Sequence, residues 1–125
     1  MNRDDVMRWV REYERAWRAD DAGAVRELFT DDAAYRASPY EQPEVGHDAI
    51  EAFWLDGAGK EFSMDANVVA VERDVAVVRV DVVYRTPREQ EYRDLWILRF
   101  APDGRVADFE EWAYWPGKPY SADND

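Results

Sequence analysis

No cysteine occurs among the 125 residues, which removes disulfides, thiolate metal sites and a cysteine nucleophile from consideration. His47 is the single histidine, so no zinc-type histidine spacing exists, and its place at a helix start points to a cap or surface role. Basic residues are scarce: 16 Lys and Arg stand against 28 Asp and Glu, a net charge of −12 with a pI near 4.5. That balance argues against nucleic acid or an anionic membrane surface as a partner. The first ten residues, MNRDDVMRWV, are charged at once and form no sustained apolar run, so neither a signal peptide nor a membrane span is expected, and the cytoplasm is the expected compartment. A glycine-rich phosphate loop and a serine elbow are both missing. The acidic clusters Asp31-Asp32 and Glu41, Glu44 are explained by turn chemistry, so no metal ligands and no cofactor are expected. Aromatic residues, by contrast, are plentiful, with six Trp, seven Tyr and five Phe. Such a number fills a core and also lines a small-molecule pocket.

Length fits one domain, expected over residues 1–116, with an irregular tail over 117–125. Val6, Trp9, Val10, Tyr13 and Trp17 recur at three and four residues and predict a first helix capped by Asp4 or Asp5. A short second helix over 24–29 is expected to stop at a turn of Thr30, Asp31 and Asp32, followed by a strand over 33–38. Pro39 and Pro43 bracket a loop closed by Gly46. A third helix should start near Asp48 and end in the glycines of 57–59. From Glu61 the period becomes alternating, with turn signals at 72–74, 86–90 and 101–104, which predicts four strands in an antiparallel meander. The fold class is therefore α+β: a cone-shaped curved antiparallel sheet with three N-terminal helices on its concave face.

The segments LFTDDAAY and GHDAIEAFW, the proline loop between them and a final strand after a DG turn resemble the nuclear transport factor 2-like superfamily. That superfamily includes ketosteroid isomerases, limonene epoxide hydrolases and SnoaL-type polyketide cyclases. The resemblance covers nearly the whole chain and implies a cavity between helices and sheet. Fold likeness alone does not choose among those chemistries.

Parity along the strands places Tyr92, Asp94, Trp96, Leu98 and Phe100 on one face, toward the core. In the strand over 75–85 both sets are apolar, with Arg79 and Asp81 together on one of them. The resemblance turns Phe109, Glu111 and Ala113 toward the cavity. Arg79-Val80-Asp81 resembles the Arg-x-Asp part of the epoxide hydrolases' Asp-Arg-Asp trio, and Glu111 falls where the second Asp would be. Arg79, Asp81 and Glu111 are thus the expected catalytic set, one carboxylate taking a proton and the other giving one, with the guanidinium between. Tyr35 matches the water-holding tyrosine of those hydrolases, while Ala37 stands where they have asparagine. Tyr13 falls on the isomerases' oxyanion-stabilising tyrosine, but Ser38 and Trp96 occupy the places of their two acids.

The resemblance implies a wall built from Tyr13, Trp17, Tyr35, Ser38, Trp54, Trp96 and Phe109, fit for a small apolar or aromatic ligand. A homodimer is expected through an outer strip of Val78, Val80, Val82 and Tyr84. Two function classes stay open: a cofactor-independent hydrolase, dehydratase or cyclase, and a non-catalytic ligand-binding or dimerisation module.

Overall fold

The computed structural model describes residues 1–56, 59–86 and 88–117. Helix α1 spans Arg3–Arg18, a 3-10 turn at Ala22–Ala24 runs into α2 at Val25–Leu28, and α3 spans His47–Asp56. The strands are β1 (Phe29–Arg36), β2 (Glu44–Val45), β3 (Phe62–Glu72), β4 (Val75–Tyr84), β5 (Gln90–Phe100) and β6 (Val106–Tyr114). They form one curved six-stranded sheet in the order β2-β1-β6-β5-β4-β3. The hairpin partners β3 to β6 pair antiparallel, whereas β1 runs parallel to β6. The expected helix stop at 57–58, the proline of the 86–90 turn and the tail from 118 onward lie outside the described residues.

Helix α1 begins with a capping box: the Asn2 side chain accepts from the Asp5 amide at 2.9 Å, and the Asp5 carboxylate accepts from the Asn2 amide at 3.0 Å. The cap is therefore Asn2, two residues before the first of the expected aspartates, with Asp5 as the reciprocal acid. Val6, Trp9, Val10 and Tyr13 of the expected set are buried, joined by Ala16, while Trp17 is partly buried against them. Both ends of the helix are fastened to the edge strand β3. Arg3 donates to the Val68 carbonyl, and Arg18 donates to the Phe62 carbonyl at 2.6 Å. The Trp9 indole N–H donates to the Leu28 carbonyl at 2.9 Å and ties α1 to the end of α2.

Strand β1 starts at Phe29, so Thr30, Asp31 and Asp32 belong to a strand and not to the expected turn. The register with β6 shifts between Phe29 and Ala34, and the acidic residues lie in that irregular stretch. Gly46 closes the proline loop with φ of +87°, a backbone shape that suits glycine, and donates to the Ala33 carbonyl at 2.9 Å. His47 follows it, its Nε2 donating to the Phe29 carbonyl at 2.8 Å, which seats α3 on the root of β1. This ring holds backbone in place.

In β4 the alternation resolves clearly: Ala76, Val78, Val80 and Val82 are buried, while Arg79 is exposed. The expected outer strip of Val78, Val80 and Val82 is thus the inner face, and Tyr84 turns the same way. Apolar residues on both sets made parity silent in this strand. Solvation decides it, because an ion pair costs little at the surface and much inside.

Candidate ligand cavity

Between α1, α3 and the inner face of the sheet lies a cavity of about 370 Å³. Tyr13 and Trp17 reach it from α1, one helical turn apart, and Phe53 and Asp56 from α3. The sheet contributes Tyr35 from β1, Phe62 and Met64 from β3, and Val82 and Tyr84 from β4. Strand β5 adds Tyr92, Asp94 and Trp96, and β6 adds Glu111 and Ala113. Lys60 sits at the mouth, its ammonium 5.2 Å from the centre of the Tyr84 ring.

The floor is a stack of rings. Phe109 is fully buried and lies parallel to Tyr35, centroids 4.4 Å apart, and parallel to Tyr13 at 5.8 Å. Trp54 meets Tyr13 edge to face at 5.0 Å. Packed this way, Tyr13 and Tyr35 bring their hydroxyls within 2.8 Å of one another. Burial, the main cause, pushes both hydroxyls well above the ordinary tyrosine value of 10; the Tyr35 charge raises Tyr13 further, and the Glu111 carboxylate acts on both. At neutral pH both are therefore intact hydroxyls, one donating to the other. Tyr84 is pushed up to about 12 by desolvation, with a hydrogen bond from Trp17 opposing the rise and Glu111 adding to it.

Glu111 lies in the cavity wall, where its Oε2 accepts from the Trp96 indole N–H at 3.1 Å. Arg79 and Asp81 do not join it. They pair with each other at 2.9 Å on the outer face, each nearly half exposed. Register shows why: Trp96 is opposite Val78 on one side and Glu111 on the other, so those three share the inner face, whereas Arg79 is opposite Leu95. The expected Arg79, Asp81, Glu111 convergence is corrected on this ground.

Of the expected wall, Tyr13, Trp17, Tyr35 and Trp96 line the cavity. Trp54 and Phe109 lie behind it in the ring stack, and Ser38 lies outside the wall, in the bend after β1. The second carboxylate on the sheet wall of the cavity is Asp94, only 4% exposed. It is opposite Ala113 and therefore a diagonal neighbour of Glu111, roughly 7–8 Å away between Cα atoms. Its signal was present in the sequence, as a lone carboxylate within the apolar set of Tyr92, Trp96, Leu98 and Phe100. No group of three or more metal-ligating side chains gathers among the described residues.

An α+β cone whose helices enclose an aromatic cavity, with two carboxylates on one wall, defines a small-ligand type of fold. The chain belongs to the SnoaL-like domain family, whose sequence profile matches residues 10–109. No curated protein matches the sequence. Among solved structures it is similar to SalBIII, described as an epoxide hydrolase/cyclase-like enzyme in pyran ring formation in the polyether salinomycin. That likeness has a TM-score of 0.71 at 16% identity and covers 89% of this chain and 90% of the other. It establishes a shared fold.

Proposed function

We propose that this domain binds a small, mainly apolar organic molecule in the cavity between α1, α3 and the sheet. The observation that carries the reading is the cavity itself, about 370 Å³ and walled by eight aromatic side chains with a few polar groups converging on it. Where the bound molecule has an oxygen to protonate or a bond to open with water, Asp94 and Glu111 are the acid and base within reach, in place of the Asp81 and Glu111 pair. The Tyr13 and Tyr35 hydroxyls would then steady developing negative charge. A hydrolase, dehydratase or cyclase of this sort needs no cofactor.

Titration with the neutral fluorescent probe N-phenyl-1-naphthylamine tests the binding reading. Saturable binding with a one-to-one end point is expected, and Ala113→Trp, which fills the cavity from β6, should abolish it while the far-ultraviolet circular dichroism stays the same. Absence of saturable binding, or binding indifferent to Ala113→Trp, would remove the cavity as a binding site.

We further propose that residues 1–116 act as one unit and that two copies pair through the outer face of the sheet. Support comes from Val75, Val83, Leu95 and Trp112, each between 37% and 43% exposed on that face. The Arg79–Asp81 pair and the Arg36–Asp108 pair border them with both signs of charge. Sedimentation velocity at micromolar concentration should give a dimer that Trp112→Glu dissociates; a wild-type monomer would end the idea. The cytoplasm is the compartment proposed. No described helix is long and apolar enough to cross a membrane.

A further inference from the structure

Two neighbouring polar sets stand in the cavity wall, and their hydrogens can be counted. The first is the pair Tyr13 and Tyr35, whose hydroxyls lie 2.8 Å apart. The bond between them uses one of their two hydrogens. Neither hydroxyl has another hydrogen-bond partner among the described residues, so one O–H is left to donate. The second set is Glu111, half-buried, whose Oε2 accepts from the Trp96 indole N–H at 3.1 Å. Its Oε1 accepts from no donor among the described residues, and a carboxylate oxygen can only accept. Sheet register brings the two sets together. Tyr35 pairs with Phe109, and Glu111 is the next residue on that face of β6. The Trp96 ring that holds Glu111 lies 4.8 Å from the Tyr13 ring, centroid to centroid. The charge of Glu111 is accordingly felt by both tyrosine hydroxyls.

A molecule that closes over these groups must meet both of them or shut one away from water unpaired, which is costly, and most costly for a carboxylate. Ethers and ketones carry acceptors only, so they meet the tyrosine hydrogen and leave Glu111 unmet. An ammonium carries donors only, so it meets Glu111 and leaves the tyrosine hydrogen unmet. A carboxylate meets the tyrosine but is repelled by Glu111. A hydroxyl supplies a donor and an acceptor on one atom. We propose that the cavity selects an apolar molecule bearing a neutral hydroxyl, whose hydrogen Glu111 accepts at Oε1 and whose oxygen accepts from the Tyr13 and Tyr35 pair. This rests on the binding reading above and names the class of molecule bound. Trp96 is the positioning residue, because by occupying Oε2 it leaves Oε1 for the ligand. The bond formed is to a charged acceptor, the stronger kind of hydrogen bond, so it outweighs the loss of water from the ligand hydroxyl.

Calorimetric titration with three probes built on one ring system tests it: 2-(2-naphthyl)ethanol, its isomer 2-(methoxymethyl)naphthalene, and 2-naphthylacetate. Alcohol and ether share their size and an acceptor oxygen, so the ratio of their affinities reads the contact with Glu111. The alcohol is expected to bind at least about tenfold more tightly than the ether, as a hydrogen bond to a charged acceptor allows, and the carboxylate most weakly. Glu111→Gln should reverse the order of alcohol and ether. The Trp96 N–H can be met only by the amide oxygen, which turns the amide N–H groups toward the ligand and puts a donor where an acceptor stood. Should that variant fail to fold, Glu111→Ala takes its place, with a ratio of about threefold or less expected. A smaller ratio than tenfold in the wild type, or tightest binding of the carboxylate, overturns the hydroxyl proposal and leaves the binding reading standing. So does naphthylamine binding without any binding of the alcohol. A preference for the alcohol that survives substitution of Glu111 removes that residue as the acceptor and overturns the proposal as well. Failure of every probe, naphthylamine included, overturns the binding reading and this inference together.

Discussion

Phe109→Ala is expected to lower the stability of the domain by about 3–5 kcal/mol, near the upper end for a large-to-small change in a core. The size follows from what surrounds the ring. Phe109 is fully buried and touches aromatic partners from three other elements: Trp9 and Tyr13 of α1, Phe29 and Tyr35 of β1, and Trp96 of β5. Rigid rings held on separate helices and strands cannot collapse into the space that alanine leaves. A cavity term therefore adds to the lost transfer energy. Function should suffer as well, because Phe109 holds Tyr13 and Tyr35 parallel and so sets the 2.8 Å contact between their hydroxyls. Urea unfolding followed by circular dichroism measures the loss. A change below about 1 kcal/mol would mean that the stack is not the structural floor of the cavity.

How much of this could be read in advance differs from element to element. Helix α1 was legible because five apolar residues fall on one helical face, a pattern that only burial explains. Strand β5 was legible for the matching reason, since Trp96, Leu98 and Phe100 alternate with Leu95, Ile97 and Arg99, a row less uniformly apolar. Strand β4 was not. Both of its faces carry valine, so alternation cannot choose, and the likeness of Arg79-Val80-Asp81 to an Arg-x-Asp motif pointed the charged pair inward. The start of β1 was hidden differently, because Thr30, Asp31 and Asp32 have turn chemistry and are held extended by a parallel pairing with β6, more than 70 residues further along the chain. Asp94 was visible all along as a polar residue on an apolar face. Which carboxylate would be its neighbour depended on the register of β5 against β6, and no single strand carries that information.

The reversal of β4 can be tested by charge, and the expected effect is the largest in the molecule. Val80→Asp should leave the domain unfolded, a loss of more than about 4 kcal/mol, whereas Asp81→Ala, one residue along, should change stability by about 1 kcal/mol or less. Val80 is fully buried and lies opposite Ala66 on one side and Asp94 on the other. A carboxylate placed there would be desolvated and would face a like charge across the strand pair. Each of those conditions alone raises the cost of the ionised form. Protonation would relieve the repulsion but would still bury a polar group between valines. Domains of this size are stable by about 5–15 kcal/mol, so a penalty of that order takes most of the margin. Asp81, by contrast, shares its charge with Arg79 in a pair that water reaches from one side. Val80→Asn separates the two parts of the argument, since it keeps the shape and removes the charge, and it should fall between the other two variants in a urea titration. If Val80→Asp folds with wild-type stability while Asp81→Ala unfolds the protein, the faces of β4 are the reverse of those described, and the cavity would have Arg79 and Asp81 in its wall after all.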